Sequence, residues 1–436
     1  MFAEIARTRP RLAILSNLRH LEWNSRHLCY ATLFMHPGLI SLLVHIDRPF
    51  LEAEGFSEAR AFILEIPAKA PSLTSLDLKA SFSVGHVHVI LSDALHSLSK
   101  LKKLVLPRYW FTSRIIVSLS QLPCLENFEW QYEVGEGDVL DVSTFEPSLL
   151  ASNFPTLRDA SLEADLTAVH HFLSNLYRLD TLCSLYIRPT VLPSPQQIYE
   201  ITNLCSNHFK SLAHLSLDFF PSVPANMGDC SPIFLEPFRP ILTMPKLLEL
   251  DIQWPSGLLF TQEDIESVAK SLPSLTSIFL SECPLLRHPP SLTLLALVPF
   301  ARHCLDINTI GLYVDGDATV TIPEEMDQLF HKLRRIRFGL SPLSTDNAQR
   351  VALSLSHLCT AESKKCLIRS GFTWERPFMD LLPEEERQFR ILGWDVVAEY
   401  FPVLVAVRDE ERSKMRRLEA ELKSLRRQSS PMKSDS

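Results

Sequence analysis

Glycine is scarce in this chain of 436 residues: it occurs 12 times, whereas proline occurs 30 times. Average chains contain about 7% glycine, so a catalytic scaffold built on glycine-rich phosphate loops is not expected. The chain has no H-E-x-x-H and no G-x-S-x-G segment, and Gly135-Glu136-Gly137 lacks the third glycine of a dinucleotide-binding loop. We therefore expect no enzymatic activity, no cofactor and no bound metal.

Paired cysteines are also missing. Nine cysteines are scattered through the chain, and no C-x-x-C pair occurs. An odd, unpatterned set is typical of reduced thiols that pack as small hydrophobic side chains. Reduced thiols indicate the cytosol or the nucleus. The first residues mix Glu4 with several arginines and contain no long apolar stretch, so we expect no secretory signal.

The chain has no excess of positive charge. Its net charge is −8 and its pI is about 6.0, which disfavours binding to nucleic acid or to an anionic membrane surface. Residues 27–46 contain no Asp, Glu, Lys or Arg and are long enough to span a bilayer. Three histidines and the turn sequence His36-Pro37-Gly38 interrupt this stretch, so we expect no membrane span.

What the chain does contain is a recurring apolar spacing, Leu-x-x-Leu-x-Leu. The segment PSLTSLDL at 71–78 returns as LPSLTSIFL at 272–280. If any large apolar residue is allowed, twelve segments fit, and they begin 21 to 35 residues apart. Their first residues are Leu18, Leu39, Leu73, Leu101, Leu125, Leu157, Leu182, Leu212, Leu247, Leu275, Ile307 and Leu333.

The spacing within each segment predicts a strand. Its last two apolar positions are two residues apart, so on a strand they point to the same side, and that side is buried only when strands stack. Helical spacing recurs between the segments, as at 261–272, which opens with a capping-box-like Thr261 and Asp264. This alternation predicts an α/β leucine-rich-repeat solenoid, a horseshoe with parallel strands on its concave face and helices on its convex face.

The repeats are expected to fill residues 1–360 as about twelve irregular units. Residues 361–402 are expected to form a C-terminal cap, because end repeats need a polar cover. Residues 403–428 have about two heptads of helical apolar spacing, fewer than a coiled coil needs. We therefore expect a charged terminal helix and a monomer, followed by a disordered tail at 429–436.

Several segments resemble fungal F-box/leucine-rich-repeat proteins: NLRHLEW at 17–23, F-x-H-P-G-L at 34–39, FTQEDIESVAKSLPSLTSIFL at 260–280 and VALSLSHL at 351–358. The resemblance implies the substrate receptor of a cullin–RING ubiquitin ligase, in which an F-box binds a Skp-type adaptor and the repeats hold the target. The 17 residues before the first repeat are too few for an F-box. The F-box is therefore either lost or missing from the gene model, and an adaptor contact is expected only if it is restored.

In the predicted fold, the residues beside the inward-pointing pair line the inner curve. They are mostly acidic in the middle repeats, which suggests an acidic concave wall that docks a basic segment of a partner protein and uses charge for steering and specificity. The alternative is that exposed strand positions are simply polar. The candidate partner-binding residues are Glu129, Asp159, Glu163, Tyr186, Arg188, Asp218, Glu249, Asp251, Phe279, Tyr313, Arg335 and Arg337.

Other candidates for chemistry are weaker. His86 and His88 would share one strand face, but no third ligand accompanies them, so we interpret them as a solvated or hydrogen-bonded pair rather than a zinc site. The basic cluster at 332–337 is interpreted as a solvated face. The alternatives to a ligase receptor are a scaffold outside a ligase, or a GTPase-activating protein in which an arginine such as Arg335 completes a partner's active site.

Overall fold

The computed structural model describes residues 15–24, 27–46, 56–130, 137–149, 153–176, 180–220, 230–285, 288–320, 322, 329–370 and 384–429. The chain divides into two compact units. The first comprises Met1–Asp229 and Glu236–Met244, and the second comprises Cys230–Leu235 and Pro245–Ser436. All nine cysteines are free thiols, six of them buried.

The first unit contains a sheet of parallel strands in which each strand pairs with the next along the chain. The pairing is in register, so the first residues of consecutive strands, such as Ser41 and Ser75, lie side by side. The strands are β1 (His20–Trp23), β2 (Ser41–Ile46), β3 (Ser75–Ala80), β4 (Lys103–Leu106), β5 (Asn127–Trp130), β6 (Asp159–Ala164), β7 (Ser184–Pro189) and β8 (His214–Asp218).

Helices connect most of these strands. They are α1 (Leu28–Ala31), α2 (Ser57–Lys69), α3 (His88–His96), α4 (Ser113–Ser120), α5 (Leu166–Ser174) and α6 (Pro195–His208), with 3₁₀ turns at Val84–His86, Arg108–Trp110, Val139–Val142 and Glu236–Thr243. The strand predicted for His86 and His88 is wrong, because His86 ends a 3₁₀ turn and His88 begins α3.

The second unit contains strands β9 (Glu249–Gln253), β10 (Ser277–Leu280), β12 (Thr309–Leu312), β14 (Arg335–Gly339) and β15 (Leu367–Ser370), which pair in parallel in that order. The short strands β11 (Leu292–Thr293) and β13 (Val314–Asp315) pair with each other. The helices are α7 (Gln262–Ser271), α8 (Leu297–His303), α9 (Thr345–His357) and α10 (Glu384–Ser429), with 3₁₀ turns at Leu294–Ala296 and Ala361–Lys365.

The apolar spacing explains why these elements form. All twelve predicted segments are strands, and each strand begins two residues after the first apolar residue of its segment. In β3, Leu76 and Leu78 are buried, whereas Asp77 between them is partly exposed. Burying one such side chain contributes about 1.5–3 kcal/mol, and the burial depends on neighbouring strands. The fold is an α/β leucine-rich-repeat solenoid, as predicted.

The C-terminal part differs from the prediction in two respects. The sheet continues past residue 360, because β15 pairs with β14. The boundary predicted at residue 403 falls inside α10, a helix of 46 residues that contains Pro402. Ser429, predicted to begin the tail, is the last residue of this helix, and 430–436 lie outside the described residues.

The part of α10 from Trp394 to Arg412 packs on the remainder of the second unit. The Trp394 ring stacks on Phe338 with 3.8 Å between ring centroids, and its Nε1 donates a hydrogen bond to the Ser341 carbonyl at 2.9 Å. Arg412 donates to the carbonyls of His357 and Cys359. The helix therefore covers part of this unit. In the part of the chain that the structure describes, no helix combines the length and apolarity that crossing a membrane requires.

Candidate functional site

The strands expose one of their two faces. In each unit we call the open face the surface made by the first, third and fifth residues of the strands, which alternate with the buried core residues. All the predicted partner-binding residues except Tyr313 lie on strands at these positions. The in-register pairing lines them up in rows across neighbouring strands.

Ion pairing and burial reduce the negative charge that the first unit presents on its open face. Glu129 accepts a hydrogen bond from the Lys103 ammonium on the neighbouring strand at 2.9 Å. Asp159 is half-buried; burial raises the pKa of its carboxyl above the ordinary value, and the negative charge of Glu129 raises it further. Neither residue presents an isolated carboxylate.

Glu163 was expected on the surface, but it is 2% exposed. Its carboxylate accepts two hydrogen bonds from Arg108, one from Nε and one from Nη2, the latter at 2.7 Å. Arg108 lies in the 3₁₀ turn after β4 and is itself 5% exposed. A buried carboxylate is stable only when it is paired and hydrogen-bonded, so Glu163 belongs to the internal structure of this unit.

Asp218 was also expected on the surface and is buried too, at 6% exposed. It accepts hydrogen bonds from the Tyr186 hydroxyl at 2.8 Å and from Arg188 Nη1 at 3.4 Å. Arg188 Nε donates to the Phe220 carbonyl. The Tyr186 ring packs edge-on against Trp130, with 4.7 Å between ring centroids. These side chains link strands β5, β7 and β8, and they do not form an acidic wall.

The second unit carries a hollow of about 270 Å³ on its open face, which we call the slot. One side is acidic and is formed by Glu249 and Asp251 on β9, together with Glu282 after β10. The buried Gln253 amide donates to Asp251 at 2.7 Å and to Glu282 at 3.0 Å. One amide therefore holds two carboxylates close together. We call Glu249 and Asp251 the acid arm.

The other side of the slot is basic. Arg335 and Arg337, which we call the base arm, lie on β14. The Arg337 guanidinium carbon lies 4.9 Å from the centroid of the Phe279 ring, a cation–π contact. Burial lowers the pKa of the Arg337 guanidinium from its ordinary value, whereas the charges of Glu282 and Asp251 act in the opposite direction. Arginine stays protonated despite such a shift, so both arginines are cations.

Small residues on the strand between the arms create the hollow. In the register, Gly311 of β12 stands between Phe279 and Arg337. A Cβ at Gly311 would lie 2.5 Å from Cδ1 of Phe279, so the ring occupies the place that a side chain would take. Thr309 and Ser277 line the remainder. The slot is therefore a polar trough with an aromatic floor.

The prediction placed Tyr313 on this face, but it is buried, at 8% exposed. It follows β12, and its hydroxyl donates a hydrogen bond to the His288 carbonyl at 3.0 Å. Its ring packs with Cys283 and Leu340. Tyr313 therefore contributes to the core of the second unit.

The structure brings Glu249, Asp251, Phe279, Arg335 and Arg337 together in one site. It adds lining residues that the prediction did not include: Gln253, Ser277, Glu282 and Thr309. Gln253, Ser277 and Thr309 occupy the same register positions as the predicted residues, so the repeat alignment could have identified them. Glu282 lies beyond its strand and carried no such signal.

The described residues contain no group of three or more His, Cys, Asp or Glu side chains arranged to hold a metal ion. The geometry of the slot is suited to charge recognition, since it gathers carboxylates and guanidinium groups around one aromatic ring.

No protein-family model and no curated protein matches this chain. Solved structures do match it. The complex of TLR13 with ssRNA13 is 17% identical over 82% of this chain, with a TM-score of 0.41, and this chain spans 52% of the length of that one. The leucine-rich repeat-containing protein LegL7 from Legionella pneumophila is 14% identical over 80% of this chain and 88% of its own, with a TM-score of 0.37.

The complex of Rad7 and Elc1 in yeast is 14% identical over 88% of this chain and 86% of the matched chain, with a TM-score of 0.41. These likenesses are too distant to carry a functional argument.

Proposed function

We propose that this chain is a protein-binding module and that the slot is its principal recognition site. The observation that carries the proposal is the placement of two acidic and two basic side chains around one hollow with an aromatic floor. Polar groups that converge on a concave surface supply orientation and specificity. Charges of both signs give electrostatic complementarity to a protein segment more readily than to an evenly anionic polymer.

Two further observations support this proposal. The sequence contains no H-E-x-x-H, no G-x-S-x-G and no complete dinucleotide-binding loop, so a binding role explains the slot with fewer assumptions than catalysis. In the first unit, Glu163 and Asp218 are buried in ion pairs with arginines of that unit, so they are poorly placed to meet a partner. The nine free thiols support a location in the cytosol or the nucleus.

The test is capture of partner proteins on the immobilised full-length chain. We would compare the wild type with an acid-arm variant, Glu249→Lys with Asp251→Lys, and a base-arm variant, Arg335→Glu with Arg337→Glu. The matched control is Lys270→Glu on α7, where the side chain is 59% exposed. We expect the wild type and the control to retain the same partner and both slot variants to lose it. Retention by both slot variants would overturn the proposal.

A more specific role, substrate recognition for an F-box-type ubiquitin ligase, rests on the sequence resemblance described above. Its test is co-purification of a Skp-type adaptor with the chain, and with a version that carries the genomic sequence upstream of Met1. The GTPase-activating alternative would instead show stimulated phosphate release from a partner GTPase, and Arg335→Ala would abolish that stimulation.

A further inference from the structure

Exposed apolar side chains are concentrated on α10. Of the twenty large apolar side chains that are exposed among the described residues, eight lie on this helix, although it supplies only 46 of the 436 residues. Four of them, Met415, Leu418, Leu422 and Leu425, are 54–58% exposed and stand three, four and three residues apart. Single exposed leucines are normal on a surface, but these four form one stripe. We call them the seam.

The seam lies on a different side of α10 from the contacts with the remainder of the unit. Trp394 and Arg412, which make such contacts, are eighteen residues apart. Because an α-helix has 3.6 residues per turn, eighteen residues are five full turns and the two side chains lie on one side. Leu422 follows Arg412 by ten residues, which places it about 80° round the helix from that side. The seam is therefore open to a further helix.

The spacing of the seam is that of a coiled coil. Side chains that stand alternately three and four residues apart occupy the a and d positions of a heptad, which meet the corresponding positions of a second helix. Met415 and Leu422 take position a, so Leu418 and Leu425 take position d. The flanking g and e positions, which set partner choice and orientation, then contain charged residues.

These flanking charges complement a second copy of this chain in parallel. In a parallel pair, the g residue of one helix faces the e residue five positions later on the other. Lys414 of each copy would face Glu419 of the other, and the twofold symmetry makes two such pairs. An antiparallel pair that aligns the whole seam would instead set Glu419 against Glu419 and Glu421 against Glu421, and like charges disfavour such a contact.

We propose that α10 joins two copies of this chain through a short parallel coiled coil over residues 414–425. The sequence analysis expected a monomer because two heptads are few. A short helix is marginal on its own because its first turn is costly to form. In this protein the contacts of Trp394 and Arg412 already hold α10 against the unit, so pairing does not have to create the helix. Four side chains per copy make a small interface, so the dimer is weak and depends on concentration.

Sedimentation equilibrium of the full-length chain tests the dimer. From low micromolar to several hundred micromolar protein, the average mass should rise from 49.6 kDa toward twice that value. Leu418→Lys should stay monomeric, because it places two ammonium groups within the seam. The matched control is Leu64→Lys on α2, since both leucines are 54% exposed, and it should dimerise like the wild type. A wild-type chain that stays monomeric, or Leu418→Lys that dimerises as well as the control, would overturn the proposal.

Disulfide trapping tests the parallel alignment. In a parallel pair the two copies of residue 418 meet in one layer, whereas in the antiparallel pair Leu418 meets Leu422. Leu418→Cys in a glutathione redox buffer should therefore form a disulfide-linked dimer. Leu64→Cys should form no more than the wild type, which itself carries accessible thiols. A chain that dimerises in sedimentation but is not trapped at residue 418 would overturn the parallel alignment.

Exchange of the flanking charges tests partner recognition. Lys414→Glu should weaken dimerisation about tenfold, because two attractive pairs become repulsive. It also removes the Lys414–Glu410 ion pair within the helix, at 3.0 Å. Adding Glu419→Lys restores opposite charges between the copies but not that internal pair, so this double variant should dimerise like the wild type. A double variant as weak as Lys414→Glu would contradict the proposed contact between copies.

This proposal is independent of the proposed function. No residue of the seam lines the slot, so loss of the dimer would leave slot recognition untouched, and loss of partner capture by the slot variants would leave the dimer untouched.

Discussion

Removing the buried charge of Glu163 should destabilise the first unit strongly. The side chains of Arg108 and Glu163 are 5% and 0% exposed, and the two residues are joined by two parallel hydrogen bonds. The variant Glu163→Gln keeps the volume but leaves the guanidinium buried without its counter-charge. Breaking a buried pair in this way costs about 3–5 kcal/mol.

The expected loss of unfolding free energy can be measured locally by amide hydrogen exchange. Stability in a repeat protein is approximately a sum of local terms, so the loss should be concentrated near β4 to β6. Since about 1.4 kcal/mol is a tenfold change, amide hydrogen exchange in these strands should accelerate at least about a hundredfold. Urea denaturation, followed by the fluorescence of Trp110 and Trp130, should show a lower midpoint.

Two further variants test the reasoning. Arg108→Met with Glu163→Leu removes both charges, and replacing a buried pair with apolar side chains is often neutral or stabilising. This double variant should therefore recover most of the loss. The control is Glu129→Gln, whose Lys103 pair is partly exposed, and it should cost less than about 1 kcal/mol. Our reading of the pair fails if Glu163→Gln costs no more than this control, or if the double variant is as unstable as the single one.

Three other predictions concern the second unit and the thiols. Gly339→Ala should cost more than about 2 kcal/mol in thermal unfolding, because φ is +49° and a Cβ would lie 2.0 Å from the Glu282 carbonyl oxygen; a neutral result would contradict the local geometry. Burial acts to raise the pKa of Asp317, but hydrogen bonds from Ser344 and Asn347 outweigh it and the pKa is lowered. A lowered carboxyl pKa stabilises the fold at pH values above the ordinary aspartate pKa, and this stability is lost as the pH falls through the folded-state pKa. Asp317→Asn should therefore flatten the acid side of the plot of unfolding free energy against pH. An unchanged plot would refute this. Burial raises the pKa of Cys205 and of Cys304 to about 12. Alkylation of the native protein at mildly alkaline pH, measured by mass spectrometry, should therefore spare these two thiols and label the more accessible ones, Cys29, Cys124 and Cys183. Labelling of Cys205 or Cys304 in the native protein would contradict their burial.

The twelve repeat strands could be predicted because their signal is local. A leucine three residues before an alternating apolar pair specifies the position of one strand without reference to the remainder of the chain. The strands begin where this spacing predicts. The same holds for the helix that begins after Thr261, because its capping box is formed within four consecutive residues, from Thr261 to Asp264. Strand β15 lacked a complete motif, so its place in the sheet depended on pairing with β14.

The length of α10 illustrates the opposite case. Pro402 lacks an amide donor and normally interrupts a helix, yet α10 continues through it and through the boundary predicted at residue 403. Tertiary contacts on both sides of this position, from Trp394 to Ser341 and from Arg412 to Cys359, hold the helix against the second unit. These contacts join residues about fifty positions apart in the chain, and no local pattern reports them.

The sequence by itself determined the period, the strand positions and the residues that face the open side, because each follows from spacing within a few neighbouring residues. Only the tertiary structure decided which of these residues are available to a partner. Glu163 became buried because Arg108 reaches it from a turn two strands away, and Phe279 became the floor of a slot because Gly311 leaves room beside it. The exposure of a polar side chain depends on what the neighbouring repeats place against it, and that is a property of the stack rather than of the motif.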